Sequence, residues 1–257
     1  MTLIMNSKIE GSGKAVLLLH GLFGSKDSLM SLSRDLKNHY QVHRLDLRNH
    51  GDSPHGDLMD YPSMARDLCD YCLTHQLSSV FLIGHSMGGK VAMQTALLFP
   101  ELVSKLVVVD IAPVRYPENH TGILEGMARI SKSKITSRQE ADAMLKPYEP
   151  DYFVRQFILK NLKKSKAGYF EWKINLQSIV KNYPAILDAP RKSKAFTKEV
   201  LFVAGQNSDY IQEKYQRETI SLFPKAKARV IAGASHYLHV EKKEVFNRLC
   251  MRYLRDE

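Results

Sequence analysis

The sequence predicts an α/β fold: a mostly parallel, doubly wound sheet with an inserted, mainly helical cap. Three observations carry that expectation. Short apolar runs rich in Val, Ile and Leu recur along the chain, and their near-continuous apolar character fits strands buried on both faces. Helical patterns lie between them, the alternation of a parallel sheet built from crossover units. The alternation then halts from Pro113 to about Lys198. With 257 residues, 44% of them hydrophobic, the chain can bury a sizeable core.

In chain order, "AVLLLH" (15–20) is the first strong strand, and Asp27 is placed to cap the helical pattern "DSLMSLSRDLKNHY". "VHRLDL" (42–47) follows, and Pro62 fits the first turn of a helix over "PSMARDLCDYCLTHQ". "VFLIGH" (80–85) leads into a helix from Met87 to Phe99, stopped by Pro100. "KLVVVD" (105–110) ends the first part of the core, 1–112. The cap, 113–198, contains "SRQEADAMLK" (137–146), where Ser137 and Glu140 form a capping box. "PDYFVRQFILKNLKK" (150–164) reads as one helix with an apolar face and a lysine face, and "YFEWKINL" (169–176) as a short hairpin strand. The core resumes over 199–257, with strands at "VLFVAG" (200–205) and "ARVIAG" (228–233).

Composition narrows the function. Three cysteines, an odd number, argue against a disulfide framework. Cys69 and Cys72 form a C-x-x-C, yet no second pair or nearby His supports a zinc site, so the pair reads as helix packing and no metal is expected. No apolar run approaches a membrane span, and the start "MTLIMNSKIEGSGK" lacks the layout of a secretory signal; a cytoplasmic protein is expected. The net charge is +10, and residues 113–199 hold 17 Lys and Arg against 9 Asp and Glu, so the excess sits in the cap. No nucleic-acid motif accompanies it, and nucleic acid is not an expected partner.

"FLIGHSMGGK" (81–90) carries the chemistry. Gly84-His85-Ser86-Met87-Gly88 follows a strand and opens a helix, the setting of a G-x-S-x-G nucleophile elbow. Ser86 must sit on a strained turn with its hydroxyl exposed, and side chains two residues away would collide there. The helix N-terminus points free N–H groups at developing negative charge. His236, in "AGASHYLHVE" after the last strand, is the expected base, with His239 beginning the final helix. "HGLFGS" (20–25) follows the first strong strand, so the N–H groups of Leu22 and Met87 are expected to form the oxyanion hole. The acid is Asp110, ending the strand before the cap, or Asp209 in "AGQNSDY" after it. His20, His50 and His85, with Asp46, Arg48 and Asn49, read as loop support.

These motifs, with "LDLRNHGDSP", "VVVDIAP" and "IAGASHYLHVEK", resemble the α/β-hydrolase superfamily, and more narrowly small bacterial esterases of the YbfF type. The likeness covers nearly the whole chain, and the order Ser, acid, His agrees with it. The resemblance implies an α/β-hydrolase fold and an acid on the strand before the cap, which favours Asp110. Asp209 also lies four residues after Gly205, where three is the commoner spacing in the superfamily.

The expected reaction is hydrolysis of a carboxylic ester or thioester of small to medium acyl chain through an acyl-enzyme, without a cofactor. A pocket between sheet and cap would be lined by Phe23, Tyr116, Phe153, Phe157 and Trp172. The basic cap fits an anionic handle on the substrate, an acyl-coenzyme A or an acidic acyl carrier, on a monomer or homodimer. Two rivals remain at this level: a carbon–carbon bond hydrolase or lyase of the same fold, and a non-catalytic binding module.

Overall fold

The structure, a computed structural model, describes residues 3–191 and 194–255. Its elements run β1 (Ser7–Glu10), β2 (Ala15–Leu19), α1 (Met30–Leu36), β3 (Gln41–Leu45), α2 (Tyr61–Thr74), β4 (Val80–His85), α3 (Met87–Leu98) and β5 (Val103–Val109). An insertion follows: α4 (Thr121–Lys132), α5 (Arg138–Leu145), α6 (Tyr152–Leu159), β6 (Leu162–Lys164), β7 (Phe170–Trp172), α7 (Leu176–Lys181) and α8 (Tyr183–Leu187). The chain then returns with β8 (Val200–Gly205), α9 (Gln216–Leu222), β9 (Ala226–Ile231), α10 (Leu238–Glu241) and α11 (Lys243–Arg255).

Seven strands form one sheet in the order β1-β3-β2-β4-β5-β8-β9, parallel throughout except for β1 against β3. β6 and β7 make a separate antiparallel hairpin. Both faces of the main sheet are covered. Leu17 and Leu19 of β2 pack with α2 and α3, while Val16 and Leu18 between them pack with α1 and α11. This explains why β2 reads as an unbroken apolar run rather than an alternation. Each such fully buried side chain contributes about 1.5–3 kcal/mol. The α/β-hydrolase fold expected from the sequence is what the chain adopts.

The local expectations fare unevenly. Asp60 caps α2 through Ser63 N at 2.7 Å with Pro62 in the first turn, and Ser137 and Glu140 form their capping box on α5. Asp27 does not cap α1; its carboxylate instead accepts from Arg44 of β3, a stronger, charged partner. The helix expected over 150–164 stops at Leu159. Beyond it Asn161 Nδ2 donates to the carbonyls of Phe23 and Ile158, and the chain turns into β6. His239 lies in the short α10 rather than at the start of the final helix. β1 escapes the sequence reading because it is a polar, half-exposed edge strand. Among the described residues, no helix is long and apolar enough to cross a membrane.

Candidate active site

Parallel register gathers the candidate residues at the C-terminal ends of neighbouring strands. Leu19 pairs with Gly84, so the loop after β2, carrying Leu22, lies beside the turn after β4, carrying Ser86. His85 pairs with Val109, and Ser86 N donates to the Val109 carbonyl at 2.9 Å, which sets Ser86 next to Asp110. Gly205 of β8 pairs with Ile231 of β9, which leads into the His236 loop. The chain reverses direction across the sheet between β2 and β4, the crevice where open α/β sheets place their ligands.

The turn at Ser86 is strained: φ 53° and ψ −121° are rarely adopted by a side-chain-bearing residue. The flanking glycines are required by contact. A Cβ on Gly84 would stand 2.2 Å from the Gly88 carbonyl oxygen, and one on Gly88 would stand 2.4 Å from that of His20. Among the described residues, the N–H groups of Leu22 and Met87 have no hydrogen-bond acceptor, and both residues border a small chamber together with Ser86.

Asp110 also holds a positive φ, 52°, and is fully buried. Its Oδ1 accepts from Gly205 N at 2.9 Å, and its Oδ2 accepts from the Ser208 hydroxyl and from His236 Nδ1, the latter at 2.7 Å. With both oxygens accepting, the His236 Nδ1 must carry the proton, which leaves Nε2 as the free acceptor. Asp209 is exposed, and its backbone carbonyl accepts from Gln212 Nε2. The structure thus brings Asp110, not Asp209, to His236. Tyr210 stacks on the His236 ring, centroids 4.1 Å apart.

Histidines read as loop support hold the loops of the candidate site by specific atoms. His20 Nε2 accepts from Leu47 N at 3.0 Å and His50 Nε2 accepts from Phe23 N at 3.2 Å, fixing the loop that presents Leu22. Burial pushes the His50 imidazole down to about 3, so it stays neutral and able to accept. His85 Nε2 donates to the His236 carbonyl at 2.9 Å, and burial lowers its pKa well below the ordinary value. Asp46 accepts from Lys26 N and Nζ and from Asp52 N, while Arg48 pairs with Asp67 through two bonds. Asn49, at φ 65°, donates to Ser178 of α7 and so ties this loop to the insertion.

Two cavities meet here. The small chamber, about 30 Å³, is bordered by Leu22, Ser86 and Met87 and also by Tyr61, Ile186 and Leu187. A groove of about 1030 Å³ runs between α6 and the loops carrying Tyr210 and His236. Of the aromatics expected to line the pocket, Tyr116 borders both cavities, and Phe153 and Phe157 border the groove. Phe23 and Trp172 border neither. Phe23 is buried edge-on against His120, and Trp172 is turned into the insertion's core by its Nε1–H bond to the Met127 carbonyl at 3.0 Å. A residue that the sequence did not mark is Lys90, one turn after Ser86 and 1% exposed at the chamber's edge. No cluster of His, Cys, Asp or Glu able to hold a metal ion occurs among the described residues.

Comparison with known proteins agrees with this fold. Residues 14–243 match the α/β hydrolase fold family. Esterase YbfF of Escherichia coli (strain K12) is 40% identical over 248 residues, which cover 96% of this chain and 95% of that protein. The sn-1-specific diacylglycerol lipase ABHD11 of Xenopus laevis is 40% identical over 249 residues, 93% of this chain and 79% of that one. Among solved structures, a marine microorganism esterase superposes with a TM-score of 0.95 at 38% identity, covering 97% of this chain and 99% of that one. A meta-cleavage product hydrolase from Pseudomonas fluorescens IP01, at 18% identity and a TM-score of 0.70 over 98% and 94% of the chains, shares the fold alone. The chain belongs to the α/β-hydrolase family.

Proposed function

We propose that this α/β-hydrolase is a serine esterase that cleaves carboxylic esters or thioesters through an acyl-enzyme. Ser86 Oγ attacks the carbonyl carbon while His236 Nε2 takes its proton, and buried Asp110 holds the ring and balances the imidazolium that forms. The N–H groups of Leu22 and Met87 receive the oxyanion, aided by the N-terminus of α3. His236 then returns the proton to the leaving oxygen or sulfur, and a water activated by the same nitrogen releases the acid. The observation that carries the reading is the 2.7 Å bond between His236 Nδ1 and buried Asp110, beside a serine on a strained strand-to-helix turn.

An acyl-coenzyme A or acyl-carrier thioester belongs to the same reading. Its support is the basic insertion, where Lys163, Lys164 and Lys166 follow one another around the β6–β7 hairpin. The free thiols of Cys69, Cys72 and Cys250 fit a reducing, cytoplasmic setting. The carbon–carbon bond alternative rests on shared fold alone.

Pre-steady-state hydrolysis of p-nitrophenyl acetate tests the proposal. A burst of one p-nitrophenol per chain, lost in Ser86→Ala, is the expected result; turnover that survives Ser86→Ala removes it.

A further inference from the structure

The two cavities differ more than thirtyfold in volume, and they divide the reacting groups between them, Ser86 lining the one and His236 the other. Resting on the serine-esterase reading above, we infer that the site splits its substrate unequally: a short acyl group enters the small chamber beside Ser86, and a bulky apolar alcohol lies in the large groove beside His236.

The direction follows from the proton. Attack by Ser86 forms the Oγ–C bond and passes the Oγ proton to His236 Nε2. Collapse breaks the C–O bond to the alcohol, and that proton goes to the departing oxygen. The leaving group must therefore lie on the His236 side. His236 borders the groove and not the chamber, whereas Ser86 and the oxyanion candidates Leu22 and Met87 border the chamber and not the groove. The acyl chain is left with the chamber.

Size then limits the acyl group. One water-sized group needs roughly 10–15 Å³ of such space, so about 30 Å³ admits about two or three. The wall that includes Ile186 is not soft. The hydroxyl of Tyr61 donates to the Ile186 carbonyl, and Lys90 Nζ donates to the carbonyls of Leu187 and Asp188 at 3.0 and 2.5 Å. Tyr61 and Lys90 are 2% and 1% exposed, so the end of α8 is tied to the core at Ile186 and at the two residues that follow it. The groove is the reverse. Phe157 and Tyr237, in contact with centroids 5.5 Å apart, form an apolar wall of it, and Phe153 and Val240, 82% and 61% exposed, leave further apolar lining surface for a large alcohol to cover.

Two ester series measured as kcat/KM test this. In p-nitrophenyl esters of increasing acyl length, the rate should peak at two to four carbons and fall at least tenfold by eight. In acetate esters of increasing alcohol length, it should rise, by up to about fourfold for each methylene buried. Ile186→Ala should raise the ratio of six-carbon to two-carbon acyl turnover at least tenfold and leave the alcohol profile in place. Ile186→Val reads a smaller shift in the same sense if the alanine variant does not fold. Turnover that climbs with acyl length in the wild type, or an alcohol series that falls with length, overturns the allotment while leaving the esterase reading intact. Absence of turnover on every ester removes that reading and the inference with it.

Discussion

Replacing Asp110 by asparagine separates the two candidate acids, and the outcome can be worked from three hydrogen bonds. Asp110 is fully buried and serves three donors: Gly205 N on one oxygen, and Ser208 Oγ with His236 Nδ1 on the other. Asparagine offers one accepting oxygen and one donating NH₂. The Gly205 N–H cannot become an acceptor, so it claims the oxygen. The NH₂ then faces Ser208, whose hydroxyl can rotate to accept, and His236, whose Nδ1 can accept only by moving its proton to Nε2. That tautomer cannot take the proton of Ser86. The shape of the site is kept and its base is disabled. A loss of about 10⁴ in kcat follows, as for wrong-tautomer substitutions in serine hydrolases generally, or about 5 kcal/mol of barrier. Asp209→Asn, on an exposed side chain, should stay within about twofold of wild type. Steady-state hydrolysis of p-nitrophenyl acetate, with circular dichroism to show that both variants fold, reads the comparison. An Asp110→Asn enzyme within tenfold of wild type, or an Asp209→Asn enzyme a thousandfold down, would refute the reasoning.

Two further outcomes follow from packing and charge. Gly88→Ala places a Cβ 2.4 Å from the His20 carbonyl and 2.6 Å from that of Leu19, so backbone must move between the elbow and the Leu22 loop. Unfolding in urea should show a loss of about 2–3 kcal/mol, and kcat should fall at least a hundredfold; a variant with wild-type stability and rate would show that the contact is soft. Burial pushes the Lys90 ammonium down to about 7, below the roughly 10.4 of an unfolded lysine. Between those values the unfolded chain holds a proton that the folded chain has released, so stability rises with pH above 7, and the cost of the buried charge is fully present below it. Urea unfolding from pH 6.5 to 9 should give a wild-type minus Lys90→Met difference with a positive slope approaching about 1.4 kcal/mol per pH unit. A flat difference would mean that the Leu187 and Asp188 carbonyls, with the Tyr61 and Tyr116 rings, hold the ammonium charged throughout.

What was legible in the sequence was whatever is decided within about ten residues. The strand-turn-helix setting of Ser86 is local: an apolar run, two glycines forced by contacts at the turn, then a helical pattern. The capping box of α5 is local in the same sense. Asp110 and Asp209 look alike at that range, since each follows a strand. What distinguishes them is burial and the reach of a partner 126 residues further on, and only sheet register supplies those. Asp27 fails as a helix cap for a similar reason: Arg44, from a neighbouring strand, outbids the local N–H groups for its carboxylate. Phe23 and Trp172 fail as pocket residues because an aromatic ring carries no mark of which side it will face. Trp172 is settled by one indole bond to Met127, and Phe23 by the backbone bond that His50 makes to it. The wall built by Tyr61, Lys90 and Ile186 leaves no motif at all. It joins three segments separated by tens of residues, and all three of its bonds end on backbone carbonyls, which every sequence possesses. Reaction class could therefore be argued from a ten-residue motif, whereas the length of acyl chain admitted depends on contacts that only the folded chain creates.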